Sequence, residues 1–584
     1  MTFSKLAKYL EKLEKTSSRL EITGILADLF KEVSAQEVDK VCYLCLGELA
    51  PKYIGLELNL AEKMMLKVIS QASGRSLERT VKDFKKTGDL GEVILAEKGK
   101  GGQSKLTVSQ VYQRLVKIAR EGGTGSQERK IKGMVGLLQS LDSLSAKYVA
   151  RIPVKKLRLG FSDLTVLDAL SWMKTKDKSL RKELEEAFNV WADIGKIARL
   201  FKNKGLEGIK VVSPAVGVPI RAAKAVALKK PEEILEKMGG KTALEPKLDG
   251  FRVQIHLDRS QKFKLVEEQN LSLFKENKHF VRIFSRNLDN MTHMFPDVVK
   301  AAQKLKVKSA ILDGEAIAVN PQTGRFLPFQ ETVQRKRKYK VAEKAKEIPL
   351  RVFIFDLLYL NGQSLLKKPF SQRRQFLEKL LKRGKGENLV LTEQLVVDKP
   401  ENFDHFFKNV VEEGLEGLMA KKLDAVYQAG ARNFVWIKYK AGMKSELADT
   451  IDCIVIGYYR GKGKRSQFGI GAFLVGVPDK KGRILTVSKV GTGLTDVQWR
   501  EMNKRCEKLK TAKMPKEYRT AKNLRPDIWC RPQLVVEIEA DTITRSPIHT
   551  AGLALRFPRL KRFRDDKKVH QATLLKQLKL AAKI

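Results

Sequence analysis

Between Val211 and Pro219, in VVSPAVGVP, the spacing of apolar residues changes, and this change commits the chain to more than one kind of domain. Before it, apolar side chains recur every three or four positions, as in Phe3, Leu6, Leu10 and Leu13, then Leu26, Leu29 and Phe30. That is the spacing of one helix face. After it come short strand-like runs: FRVQIHL, HFVRIFSR, AILDGEAIAV, LRVFIFDLLYL and LVLTEQLVV. They alternate with helical stretches such as PFSQRRQFLEKLLKRG, an α/β texture. Beyond Gly442 the strands become glycine-rich (TIDCIVIGYY, IGAFLVGV, ILTVSKVGTG, QLVVEIEA), which suits a small β-barrel. A chain of 584 residues is long enough for three or four domains of about 150 residues each. We therefore expect an all-α domain over residues 1–205, an α/β core over 206–442 and a β-barrel domain over 443–584. Loops are expected at Gly101–Gly102 and at Glu121–Lys130, in EGGTGSQERK.

Charge narrows the partner. Lys and Arg number 113 against 67 Asp and Glu, a net +46. Such a surplus attracts polyanions, and nucleic acid is the expected class. No apolar run is long enough to span a membrane, and the amino-terminal MTFSKLAKYLEKLEK is a charged amphipathic helix. The five cysteines include one C-x-x-C, Cys42 and Cys45, without the second pair that a zinc ribbon needs. Buried, inert thiols on a helix are the expected reading, in a reducing, intracellular setting.

The chemistry is sought in EPKLDGFR, Glu245 to Arg252. A lysine amine is a nucleophile only when neutral, and its ordinary pKa is about 10.4. Burial and neighbouring cations favour the neutral form, and Arg252, Arg286, Lys421, Arg432, Lys438 and Lys440 are cations that could converge on Lys247. In ILDGEAIAV, Glu315 follows what reads as a second Asp-Gly turn, where its carboxylate could accept from ribose hydroxyls. In VFIFDLLYL, Phe353 and Phe355 share a strand face, and a ring there could stack on a base. EGLEGLMAKK supplies Glu416 and Lys421, a pairing suited to magnesium and phosphate. WIKYK sets Lys438 and Lys440 on one strand face, where two ammoniums make sense opposite a phosphate. LRFPRLKRFRDDK gathers Arg556, Arg559, Arg562, Arg564 and Lys567, a possible clamp on a polyphosphate or a nucleic-acid backbone. QRKRKYK (Gln334 to Lys340) and YRGKGKR (Tyr459 to Arg465) are further expected phosphate contacts.

Seven of these motifs, KLDGFR, SRN, LDGEAIA, FIFDLLYL, EGLMAKK, WIKYK and RFPR…RDDK, stand in one order over more than half the chain. The sequence resembles the ATP-dependent DNA ligases of archaea and some bacteria. KKLRLGFSDLTVLDAL (Lys155 to Leu170) is similar to their DNA-binding domain, and VIGYYRGKGKRSQFGIGAFLVG to the start of their OB-fold. The resemblance implies an all-α DNA-binding domain, an ATP-grasp-like nucleotidyltransferase core and an OB-fold barrel. It implies that Lys247 attacks the α-phosphate of ATP and becomes lysyl-AMP. Glu245 would meet the adenine through its backbone, Phe355 would stack on the ring and Glu315 would hold the ribose. Arg252, Arg286, Arg432 and Lys438 would bind phosphate, and Lys421 and Lys440 would complete the cationic shell. Glu416, with Glu315, would place magnesium, and Arg559 would steer pyrophosphate away. AMP would pass to the 5′-phosphate of a nick and be expelled by the 3′-hydroxyl. The implied partner is nicked duplex DNA bound without sequence preference, in replication, repair and recombination. The enzyme would be a monomer in the cytoplasm, at the nucleoid, with a sliding clamp as a further candidate partner.

The chain departs from the family pattern in three places. The connection between Arg252 and Arg286 is long, and we expect an extended hairpin there. PIRAAKAV stands where the family usually has P-M-L-A, and Lys561 stands where an apolar residue is expected. Rival classes lack support. NAD-dependent ligases carry a four-cysteine module after the OB-fold. RNA ligases and capping guanylyltransferases lack the helical DNA-binding domain. GKGKRS (Gly461 to Ser466) is not a P-loop. A non-catalytic nucleic-acid-binding relative would be expected to have lost Lys247, Glu315 or Lys438.

Overall fold

The computed structural model describes residues 1–98, 104–260, 280–320, 322–327, 329–337, 340–382, 388–413, 415–440, 450–461, 463–540 and 542–582. Two compact units divide the chain, Met1–Tyr439 and Lys440–Ile584.

The first unit begins with helices, from Phe3–Glu14 to Ile194–Lys210. Their starts follow ordinary capping chemistry: Ser18, Ser76, Thr107 and Asp193 each accept a backbone N–H from the first turn. The apolar faces form one core that includes Phe3, Leu6, Leu10, Phe30 and Val166. Cys42 and Cys45 lie within it, on the helix Val38–Leu46. Burial pushes the Cys45 thiol up to about 12 and Cys42 up as well, so both are inert packing groups. The loop expected over Glu121–Lys130 is shorter than the sequence suggests, because a helix already runs from Ser126 to Gln139. Gly125, in the left-handed region, turns the chain into it, and helix propensity carries Ser126–Lys130. Gly101–Gly102 lies outside the described residues.

Two sheets follow. One has the order Lys224–Ala227, Arg432–Lys440, Gly417–Lys422, Thr242–Lys247, Leu395–Val397. The other runs Phe280–Ser285, Phe251–Asp258, Ser309–Ala318, Leu350–Leu360, Gln363–Ser364, with Leu389–Leu391 also paired to Leu350–Leu360. LVLTEQLVV, which reads as one strand, is two. Leu389–Leu391 joins the second sheet and Leu395–Val397 the first. The Asp-Gly of ILDGEAIAV is not a turn, because the strand Ser309–Ala318 continues through it with a register shift between Asp313 and Gly314. Gly314 serves close packing: a Cβ there would lie 2.9 Å from the Phe353 carbonyl oxygen. The expected hairpin between Arg252 and Arg286 falls largely outside the described residues.

The linker after the helices is fixed by buried polar side chains. The Gly217 N–H donates to His256 Nδ1 at 3.0 Å, and the Ile220 N–H to Gln254 Oε1 at 2.8 Å. Burial, then nearby Arg282, lowers His256 to about 3, so it stays neutral and can accept.

The second unit holds an eight-stranded curled sheet built around Ile451–Arg460, Ile470–Pro478, Ile484–Val490 and Val535–Glu539. Its core includes Cys453, Phe473, Val487 and Cys530, closed by Trp499 and Met502 of the helix Asp496–Lys508. None of the described helices is long and apolar enough to cross a membrane.

Candidate active site

Lys247 ends one sheet and Phe251 begins the other, so the K-x-D-G turn is the hinge between them. Gly250 is required there. A Cβ on it would sit 2.2 Å from the Ala316 carbonyl oxygen, so no side chain fits between the turn and the neighbouring strand. Lys247 pairs in register with Gly417, and the Glu416 N–H donates to the Lys247 carbonyl at 3.1 Å. This backbone clamp sets Glu416 Oε2 2.5 Å from Lys247 Nζ, with both side chains about one-fifth exposed.

The facing strand supplies the remaining carboxylates. Arg252 lies opposite Glu315, and Glu315 opposite Phe353. Desolvation pushes the Glu315 carboxyl up to about 7, against the pull of Arg252, Lys247 and Arg286. Those three cations are therefore close enough to act on it. Arg252 is anchored inside the protein. Its Nε and Nη2 donate to the two Asp313 oxygens at 2.9 and 2.5 Å, Nη2 also to the Tyr427 hydroxyl, and Nη1 to the Ala223 carbonyl. Its guanidinium lies over Phe355 and Trp436.

Glu245 and Lys421 form a separate buried layer. Both are 2% exposed and their charges meet at 2.6 Å. Lys421 also donates to the Phe355 carbonyl at 3.1 Å and lies 4.6 Å from the centre of that ring. Arg374 and Gln394 flank the second Glu245 oxygen at 3.5 and 3.1 Å. The Glu245 side chain is thus fully engaged inside the protein. Lys421 sits as a support behind Phe355 rather than as an outward-facing phosphate ligand.

The remaining candidate cations are each placed within their own unit. Lys224 pairs in register with Arg432, and Ala227 with Lys438, across two parallel strands. Lys440 ends the strand of Lys438. Arg286 follows the strand Phe280–Ser285 and is exposed. Arg559 opens the strand Arg559–Phe563 of the second unit, opposite Glu539. Its neighbours in the motif are not all outward clamps: Arg562 pairs with Glu537, Arg564 with Asp452 and Asp566, and Lys567 with Asp452. Lys561, at the position expected to be apolar, pairs with Glu539 at the surface. One residue in each of the two basic runs also needs correction. Arg335 is buried against Asp297, and Arg465 donates to the Gly471 carbonyl while covering the Trp499 ring. Both are internal braces, because each finds an acceptor within its own fold.

Sequence reasoning missed Asp313, Trp436, Tyr427 and Arg374. Asp313 was visible two positions before Glu315, and Trp436 two before Lys438 on the same strand face. Tyr427 and Arg374 have no local signal.

The chain matches three family profiles: "DNA ligase N terminus" over residues 2–171, "ATP dependent DNA ligase domain" over 271–440 and "ATP dependent DNA ligase C terminal region" over 466–567. A "Probable DNA ligase" of Dictyoglomus turgidum is 44% identical, covering 99% of this chain and 97% of its own. A "DNA ligase 2" of Thermofilum pendens is 41% identical, covering 99% and 96%. Among solved structures, Pmar-Lig_PreS3 aligns over 96% of this chain and 99% of its own, with a TM-score of 0.53 and 19% identity, a likeness of fold.

Proposed function

Since the chain belongs to the ATP-dependent DNA ligases and seals nicks in DNA with ATP, we propose that Lys247 is the nucleophile that carries AMP between the two substrates. The observation that carries this is the placement of Lys247 Nζ at the junction of two sheets, 2.5 Å from Glu416 and close enough to act on the Glu315 carboxyl. We assign the helical DNA-binding domain to residues 1–205, an ATP-grasp-like adenylating domain to 206–442 and an OB-fold domain to 443–584.

In the first step the Lys247 amine attacks the α-phosphorus of ATP. A P–N bond forms, the bond to the β-phosphate oxygen breaks, and pyrophosphate leaves. Glu416 is the nearest base for the amine proton. Phe355, backed by Lys421 and edge-on to Trp436, stacks on adenine, while the Glu245 backbone reads its edge. Glu315 accepts from the ribose hydroxyls. Arg286, Arg432, Lys438 and Lys440 neutralise phosphate oxygens. Arg252 acts from its Asp313 anchor, and Arg559 steers pyrophosphate. A 5′-phosphate oxygen of the nick then attacks the lysyl-AMP phosphorus and releases the amine. The 3′-hydroxyl finally attacks the activated phosphate and expels AMP. Positioning and charge supply most of the acceleration.

Glu315 and Glu416 fit a hydrated magnesium ion, which takes one or two carboxylates and completes its shell with water and phosphate oxygens. No group of three or more His, Cys, Asp or Glu able to hold a metal occurs among the described residues. When bound, the ion supplies neutralisation of the phosphate charge. The net +46 supports binding through DNA phosphates without sequence preference, by a monomer.

The test is mass spectrometry after incubation with ATP and magnesium, with Lys247→Ala alongside. The expected result is one AMP on Lys247, released by nicked DNA as the nick closes. An adduct that persists on Lys247→Ala overturns the assignment.

A further inference from the structure

We propose that Arg221 and Lys224, with Arg286 and Arg432, form a second phosphate seat beside the nucleotide site. It rests on the ligase reading above and adds two residues that none of the seven motifs contains. The seat is a cavity of about 280 Å³ between the helices and the adenylating sheets of the first unit. Arg221, Lys224 and Arg286 line it from one side, and Lys52 and Phe188 from the other. Arg432 is not on the cavity wall but lies beside Lys224, its partner in register on the neighbouring strand.

Two observations point to an anion. First, Lys247 and Arg252 have carboxylate partners, whereas Arg221, Lys224, Arg286 and Arg432 have no ion-pair partner among the described residues. Glu48 and Asp163 are also on the cavity wall, but neither forms an ion pair with these cations among the described residues. Burial lowers Lys224 first, and the fields of Arg221, Arg432 and Arg286 lower it further against the weaker pull of Glu185, so three cations act on this one amine. Converging like charges cost free energy that a bound anion would relieve. Second, Arg221 is held in place. Its N–H donates to the Asn189 carbonyl at 2.8 Å, its carbonyl accepts from the Gly430 N–H at 2.9 Å, and its guanidinium lies 4.9 Å from the Phe188 ring centre. Yet its Nη1 is buried with no acceptor among the described residues.

The ligand is a phosphate group, from the nicked strand or from the polyphosphate of ATP. The experiment compares wild type, Arg221→Gln, Lys224→Leu and the charge-conserving Lys224→Arg. Affinity is measured for a nicked duplex bearing a 5′-phosphate, and the ATP dependence of self-adenylation in parallel. If a DNA phosphate fills the seat, Arg221→Gln and Lys224→Leu each weaken duplex binding by about tenfold, the loss of one charge-assisted hydrogen bond. Lys224→Arg keeps it. If ATP fills it, the same factor appears in the ATP concentration needed for self-adenylation. Unchanged values in both assays overturn the seat, and so does a loss in Lys224→Arg equal to that in Lys224→Leu. Duplex binding needs no adenylation, so the seat and the assignment of Lys247 fail separately.

Discussion

Replacing Glu315 by glutamine is expected to stabilise the free protein while crippling it. The carboxyl is raised from 4.5 to about 7 because desolvation outweighs Arg252, Lys247 and Arg286. Its charged form is therefore disfavoured by folding. The sign follows from linkage: between pH 4.5 and 7 the unfolded chain loses this proton and the native one keeps it, so stability falls as pH rises. Above about pH 7 both states are ionised and the penalty is constant. A shift of this size amounts to about 3 kcal/mol at pH 8, about 1 kcal/mol at pH 5 and nearly nothing at pH 4. Glutamine keeps the shape and removes the charge, so Glu315→Gln should recover about that amount at pH 8 and little at pH 4. The assay is urea unfolding of both proteins at the two pH values, without nucleotide, followed by tryptophan fluorescence. In parallel, AMP transfer should fall sharply in the variant, because an amide cannot replace a carboxylate toward a metal ion and accepts more weakly from ribose hydroxyls. Equal stability differences at pH 4 and pH 8, or a variant less stable at pH 8, would refute the account of a carboxylate desolvated against its neighbours.

The anchor of Arg252 gives a test of opposite sign. Asp313→Asn leaves a buried guanidinium without its bidentate partner, and a loss of about 3–5 kcal/mol in unfolding free energy is expected; a loss below 1 kcal/mol would mean that Tyr427 and the Ala223 carbonyl suffice. For the second unit, Arg559→Ala should slow self-adenylation about tenfold or more. It should slow sealing of a pre-adenylated nick much less, since no pyrophosphate leaves in that step; equal losses in the two assays would contradict the leaving-group role.

Much of this protein is legible in its sequence because the relevant signals are local. The change of apolar period at Val211–Pro219 separates helices from sheets, and side-chain geometry alone requires the two periods to fold differently. Lys247, Glu315, Phe355, Glu416 and Lys438 each sit in a short motif whose residue types suit phosphate and nucleotide chemistry. The surplus of 46 positive charges foretells the polyanion without any fold. What only the tertiary structure decides is which charges face inward. Arg252, Lys421, Arg335 and Arg465 read in the sequence like Arg286 and Arg432. The first four are spent on Asp313, Glu245, Asp297 and the Gly471 carbonyl. The partners lie far along the chain in three of these four cases, and at strand spacing a side chain's sign says nothing about the group across the sheet. The same holds for LVLTEQLVV, whose two halves join different sheets because Leu350–Leu360 and Thr242–Lys247 each offer an edge. A buried charge must find its opposite wherever the fold brings it, so its role is fixed by long-range register, which a local motif does not contain.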